Sequence, residues 1–164
     1  MDDECLRLFR EHDAWYVPTL GITHLTPDQA STPAEKRWVA ERGLTPDLIR
    51  RAEDAVAEHR RWFQQALRSG VKMALGSDIR PVKDAVLLEM GLWVKDGATP
   101  WQTLLAATRH AAELCGVVSD VGTIQPGKLA DLIVVRGNPL EYVEHLRSLE
   151  LVLKEGRVVA DHRS

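Results

Sequence analysis

The sequence predicts an α/β fold, and three observations carry that expectation. A short apolar run over residues 71–75 is bounded by Gly70 and Gly76, too short for a helix and flanked as a buried strand is. On both sides of it lie longer stretches whose apolar residues recur at helical spacing. Beyond Gly116 that spacing gives way to short β-rich runs. The 71–75 strand ends in Gly76-Ser77 and then a lone carboxylate, Asp78. In parallel α/β proteins the carboxyl ends of strands are where side chains converge on a ligand. An Asp placed there can bind a metal or move a proton.

Taken in order, Asp2, Asp3 and Glu4 suit the N-terminal dipole of a helix over 2–12, with Cys5, Leu6 and Phe9 on its apolar face. A helix that starts at residue 2 without a strand before it leads us to expect preceding chain. Residues 15–20 read as a strand, and Pro18 suits an edge or the end of a parallel strand. Turn residues fill the loop 21–33. His24 lies in it, just past the strand end, either solvated or within reach of a substrate. A short helix over 33–42 ends at Gly43. Thr45-Pro46-Asp47 is a strong helix start: a capping Thr, Pro at the first helical position, then an acid. This helix reaches about Ser69 and puts Leu48, Ala52, Val56, Phe63 and Ala66 on one face, with Gly70 as its stop. Arg50, Arg51, Arg60, Arg61 and Arg68, interleaved with acids, read as its solvated face.

After the 71–75 strand comes a short basic loop, 79–83. Asp84 begins a helix through Val94, closed by Gly97. Thr99-Pro100-Trp101-Gln102 is a capping box that opens a helix to about Arg109, and 111–115 is a further helix ending at Gly116. A turn-rich link over 121–127 leads to β-rich runs at 130–135, 149–154 and 157–160, the last two joined by a tight Glu155-Gly156 turn as a hairpin. A boundary falls near residue 120, between an α/β part (1–120) and a small β part (121–164).

Composition narrows the function classes. Twenty-one basic residues against 24 acidic ones, a formal charge of −3, leave no excess for nucleic acid or an anionic membrane. The longest apolar runs, such as 132–135, fall far short of the ~20 residues of a membrane span. The acidic N-terminus lacks the apolar core of a signal peptide. Cys5 and Cys115 fit no metal or redox pattern and are expected as buried free thiols in a reducing cytoplasm.

Three stretches together resemble a known family. They are Ala74-Leu75-Gly76-Ser77-Asp78; Gly97-Ala98-Thr99-Pro100 with Leu104-Leu105-Ala106-Ala107-Thr108 and Ala111-Ala112-Glu113-Leu114; and Gly122-Thr123-Ile124-Gln125-Pro126-Gly127-Lys128-Leu129-Ala130-Asp131-Leu132-Ile133-Val134-Val135. Gly137-Asn138-Pro139-Leu140 and 152–159 continue the match. The ordered set resembles the C-terminal part of the amidohydrolase superfamily, near its imidazolonepropionase-like and prolidase-like branch. The resemblance implies the final two βα units of a metal-dependent-hydrolase TIM barrel plus part of a small C-terminal β-sandwich. It makes 15–20 the seventh barrel strand and 71–75 the eighth. Asp78 then matches the aspartate that binds a divalent metal, normally zinc, and carries a proton from water to the leaving amine. The implied activity is hydrolysis of C–N bonds in a small-molecule amide or cyclic amide. That chemistry is coherent in itself, because an unprotonated amine leaves poorly and a carboxylate can return the water's proton to it.

The sequence departs from that pattern in what it lacks. The family's His-x-His, bridging Lys and later metal-binding His have no counterpart. His12, His24, His59, His110, His145 and His162 stand in none of the required contexts. A catalytic zinc takes about three protein ligands, and Asp78 is one. The basic loop is shorter than in many relatives. Within it Arg80 is either a surface arginine or a planar fork for a substrate carboxylate. Asp131 lies in the sandwich stretch and reads as structural. The expectation is a chain inactive and metal-free alone, completed by an N-terminal barrel partner or prone to self-association through open strand edges. The alternative is a non-catalytic interaction module that binds a partner through an open edge.

Overall fold

A computed structural model describes residues 2–80 and 84–163. Pro81, Val82 and Lys83 of the expected basic loop therefore lie outside the described residues. Helix α1 (Asp3–Glu11) opens with the Asp2 carboxylate accepting the Cys5 N–H at 2.9 Å. Strand β1 (Trp15–Tyr16) leads into the short α2 (Gly21–His24). Helix α3 (Pro33–Arg42) carries a Thr32/Glu35 capping box, and α4 (Pro46–Ser69) is capped by Thr45 and stopped by left-handed Gly70. Strand β2 (Lys72–Met73) follows, then α5 (Ala85–Lys95), α6 (Pro100–Ala107) with its Thr99/Gln102 capping box, and α7 (Arg109–Leu114). Strand β3 (Leu132–Val135), a 3-10 helix (Val143–Arg147), β4 (Leu149–Lys154) and β5 (Arg157–Asp161) complete the described chain.

β1 and β2 pair in parallel, Trp15 opposite Lys72 and Tyr16 opposite Met73. Both ladders are shorter than the expected strands. Pro18 has no N–H to donate, and Thr19 turns left-handed (φ +48°), so β1 stops at Tyr16 and the chain bends before α2 starts at Gly21. On the side of residues 73–75 facing away from β1, two backbone groups have partners. His110 Nδ1–H donates to the Met73 carbonyl at 3.0 Å, and the Leu75 N–H donates to Ala106 O at 3.0 Å. The second sheet is antiparallel in the order β3-β4-β5. Its Glu155-Gly156 turn has positive φ at both residues, as a two-residue hairpin requires. Asp131 serves this turn, accepting the Glu155 N–H at 2.7 Å and pairing with Lys154.

The main core gathers Leu20, Leu25, Trp38, Phe63, Met73, Leu92 and Trp93, with Phe63 and Trp93 edge-to-face at 5.1 Å. A second cluster, Met90 with Val143 and Leu146, seats the 3-10 helix on α5. The cysteines depart from expectation, since both are exposed. In α1 the one buried residue is Leu6, so Cys5 falls off a narrow stripe, and Cys115 lies past the last turn of α7.

Candidate functional site

Asp78 lies on the segment 74–79 that follows the carboxyl end of β2. It is exposed, and its backbone is left-handed, with φ +46°. A residue bearing a Cβ holds that conformation at a cost, and Asp tolerates it better than most. Two close approaches bracket it. A Cβ on Gly76 would sit 2.6 Å from Val17 Cγ1, and one on Gly21 would sit 2.9 Å from Ile79 Cδ1. The segments leaving β1 and β2 thus approach closely on both sides of Asp78, and a Cβ at either point would have to push the Val17 or Ile79 side chain aside.

Two buried carboxylates of α5 and its C-cap hold α2 from beneath. Glu89 is fully buried, accepting the Leu20 N–H at 2.7 Å, the Gly21 N–H at 2.9 Å and the Trp93 indole N–H at 3.2 Å. Burial pushes its carboxyl up to about 7, with these donors pulling the other way. Burial, with Glu89 nearby, also pushes Tyr16 up to about 12. Asp96, 2% exposed, lies 2.7 Å from His24 Nε2 and 2.8 Å from Arg60 Nε. Burial raises the Asp96 carboxyl, but His24 and Arg60 outweigh it and hold it below its ordinary value. His24 Nδ1 lies 3.0 Å from Leu20 O and 2.8 Å from Thr23 Oγ1, which in turn lies 2.8 Å from His59 Nδ1. Burial, then the neighbouring His24, depresses His59.

The sequence residues therefore part company. Asp78 and Arg80 are exposed on one segment. His24 is no solvated loop histidine: it is the last residue of α2, 2% exposed, with both ring nitrogens facing polar partners. Arg60 likewise leaves the solvated face of α4 to reach Asp96. Glu89, Asp96 and Thr23 were not singled out from the sequence. Glu89 had a signal, a lone acid among Leu87, Leu88, Met90 and Leu92 on an apolar helix. Asp96 had none, reading as an ordinary helix end.

Among the described residues no group of three or more His, Cys, Asp or Glu side chains is placed to hold a metal ion. Asp78 alone does not fit a complete centre. An apolar groove of about 770 Å³ lies elsewhere, lined by Trp101, Leu104, Ala112, Ile124, Leu129 and Leu132 among others. No described helix is long and apolar enough to cross a membrane.

Residues 7–159 match the model of the Amidohydrolase family. An ochratoxinase of Aspergillus niger is 26% identical over 146 residues, covering 87% of this chain and 28% of that protein. An imidazolonepropionase of Ralstonia nicotianae is 33% identical over 145 residues, covering 84% and 35%. The crystal structure of a Xaa-Pro dipeptidase with methionine bound in its active site superposes with a TM-score of 0.78 at 29% identity, over 96% of this chain and 37% of that one. This chain thus spans about a third of the length of these relatives. Matched from α1 to β5, it belongs to the amidohydrolase family.

Proposed function

We propose that this chain is the C-terminal barrel portion of a metal-dependent amidohydrolase that hydrolyses C–N bonds in small amides or cyclic amides, with Asp78 as its contribution to the reaction centre. In this reading β1 and β2 are the last two barrel strands, and the part after residue 120 belongs to the flanking β-sandwich. The observation that carries it is the placement of Asp78: an exposed carboxylate on the segment that follows a parallel strand, with close approaches at Gly76 and between Gly21 and Ile79 on either side of it. A carboxylate so held takes a proton from attacking water and returns it to the departing nitrogen. Because no three His, Cys, Asp or Glu side chains among the described residues are placed to hold a metal, the other donors in this reading come from the strands that the relatives carry outside the stretch matched here. Arg80 is available there to pair with a substrate carboxylate. His24 supports α2 from within instead of touching substrate.

The test is reconstitution with a polypeptide carrying the missing strands of a related enzyme, assayed on imidazolonepropionate and on Xaa-Pro dipeptides. Activity in the mixture that Asp78→Asn lowers by ~10³-fold or more supports the reading, because a proton-transfer group and a charge are both lost. Equal activity in wild type and Asp78→Asn contradicts it. The apolar groove beside β3, with Trp101 and Ile124 exposed at its rim, favours a second reading as a non-catalytic module that binds a partner there. A monomer that stays inactive with every complementing partner would favour that reading.

A further inference from the structure

We infer that Glu89 is a positioning residue for Asp78: by gripping the start of α2 it holds Gly21 against Ile79, and so fixes the backbone that presents the Asp78 carboxylate. This rests on the reading of Asp78 given above. The chain of contacts is short. The two Glu89 oxygens take the N–H groups of Leu20 and Gly21, the residues that follow the left-handed bend at Thr19. Gly21 is packed so closely on Ile79 that an added Cβ would lie 2.9 and 3.1 Å from two of its side-chain carbons. Ile79 is 4% exposed and directly follows Asp78.

Stability alone does not explain a carboxylate here. A buried acid carries a desolvation penalty that an apolar residue of the same volume avoids. The nearby Asp96 carboxylate beyond α5 makes its ionisation harder still, being of like charge. What the carboxylate does, and an apolar side chain cannot, is bind two converging N–H groups at one point. That point lies one residue contact away from the strained φ of Asp78, a conformation that persists where neighbours over-determine it.

The experiment compares amide spectra of the ¹⁵N-labelled full chain as wild type, as Glu89→Gln and as the exposed control Glu53→Gln. Glu89→Gln leaves one of the two N–H groups facing an NH₂ in place of an oxygen. The expected result is roughly tenfold or faster hydrogen exchange at Leu20 and Gly21. Shifted resonances at Ser77, Asp78 and Ile79 should accompany it, while α4 and the β3-β4-β5 sheet are unmoved. Ile79→Val, which loosens the same contact from the other side, should shift Asp78 while Glu89 keeps its partners. Changes confined to Leu20 and Gly21, or spread evenly over all protected amides, overturn the inference. In a reconstituted enzyme, Glu89→Gln should lower kcat about tenfold with KM unchanged. If no active assembly forms, the Asp78 reading has failed, and the spectra still decide whether Glu89 sets that backbone.

Discussion

Glu89→Gln should change the slope of stability against pH, and the structure sets the size of the change. The Glu89 carboxyl stands at about 7 in the folded chain against an ordinary 4.5. A raised carboxyl means that the folded state binds more protons than the unfolded state between those values. Stability from this group is therefore complete below the unfolded value and declines as pH rises through the folded one. At ~1.4 kcal/mol per pH unit the interval is worth ~3 kcal/mol. Glutamine does not titrate, so the variant escapes that decline, while its one mismatched N–H costs ~1–3 kcal/mol at every pH. Urea unfolding at about pH 5 and about pH 8 measures both terms. The variant should be the less stable chain at the lower pH, and the gap should close or reverse at the higher one. Depressed His59 and Asp96 contribute in both chains and cancel in the comparison. Parallel stability profiles would refute the argument, showing that Glu89 is not a titrating buried acid in this interval.

Other outcomes follow from the same packing. Gly76→Ala should cost ~1–3 kcal/mol through the clash with Val17, and Val17→Ala in the same chain should recover most of it in thermal melts. Asp96→Ala should cost ~3 kcal/mol in urea, the low end for a broken buried pair because the Arg60 side chain is 42% exposed. Since its carboxyl is depressed, the stability that Asp96 contributes is present above about pH 4 and is lost as pH falls through its lower folded value. Both Cys5 and Cys115 should react with a thiol reagent in the native chain, and protection of either would contradict their exposure.

What could be read from the sequence was mostly local. The Thr45-Pro46 start, the Thr99 capping box, the Gly70 stop and the Glu155-Gly156 turn each depend on a few adjacent residues, and each stands where its residues indicate. Strand lengths were over-read because a ladder ends where its partner bends away, here at Pro18 and Thr19. Asp78 was visible as a lone acid after a strand. Its support was not, because Glu89 meets the Leu20 N–H across 69 residues and Arg60 meets Asp96 across 36. His24 looked like a loop residue because four residues of helix are too few to show a period. The cysteines misled because a helical apolar face says which side is inward, but not how wide the covered stripe is.

The most direct test of the central claim is the metal content of the purified chain, measured by elemental analysis alone and after assembly with a polypeptide carrying the missing strands. The account predicts far less than one metal per chain alone, close to stoichiometric metal in the assembly, and a marked loss of that metal in Asp78→Asn. One tightly held metal per isolated chain would contradict it, because a complete ligand set would then reside in a chain whose described residues place no three His, Cys, Asp or Glu side chains to hold a metal ion.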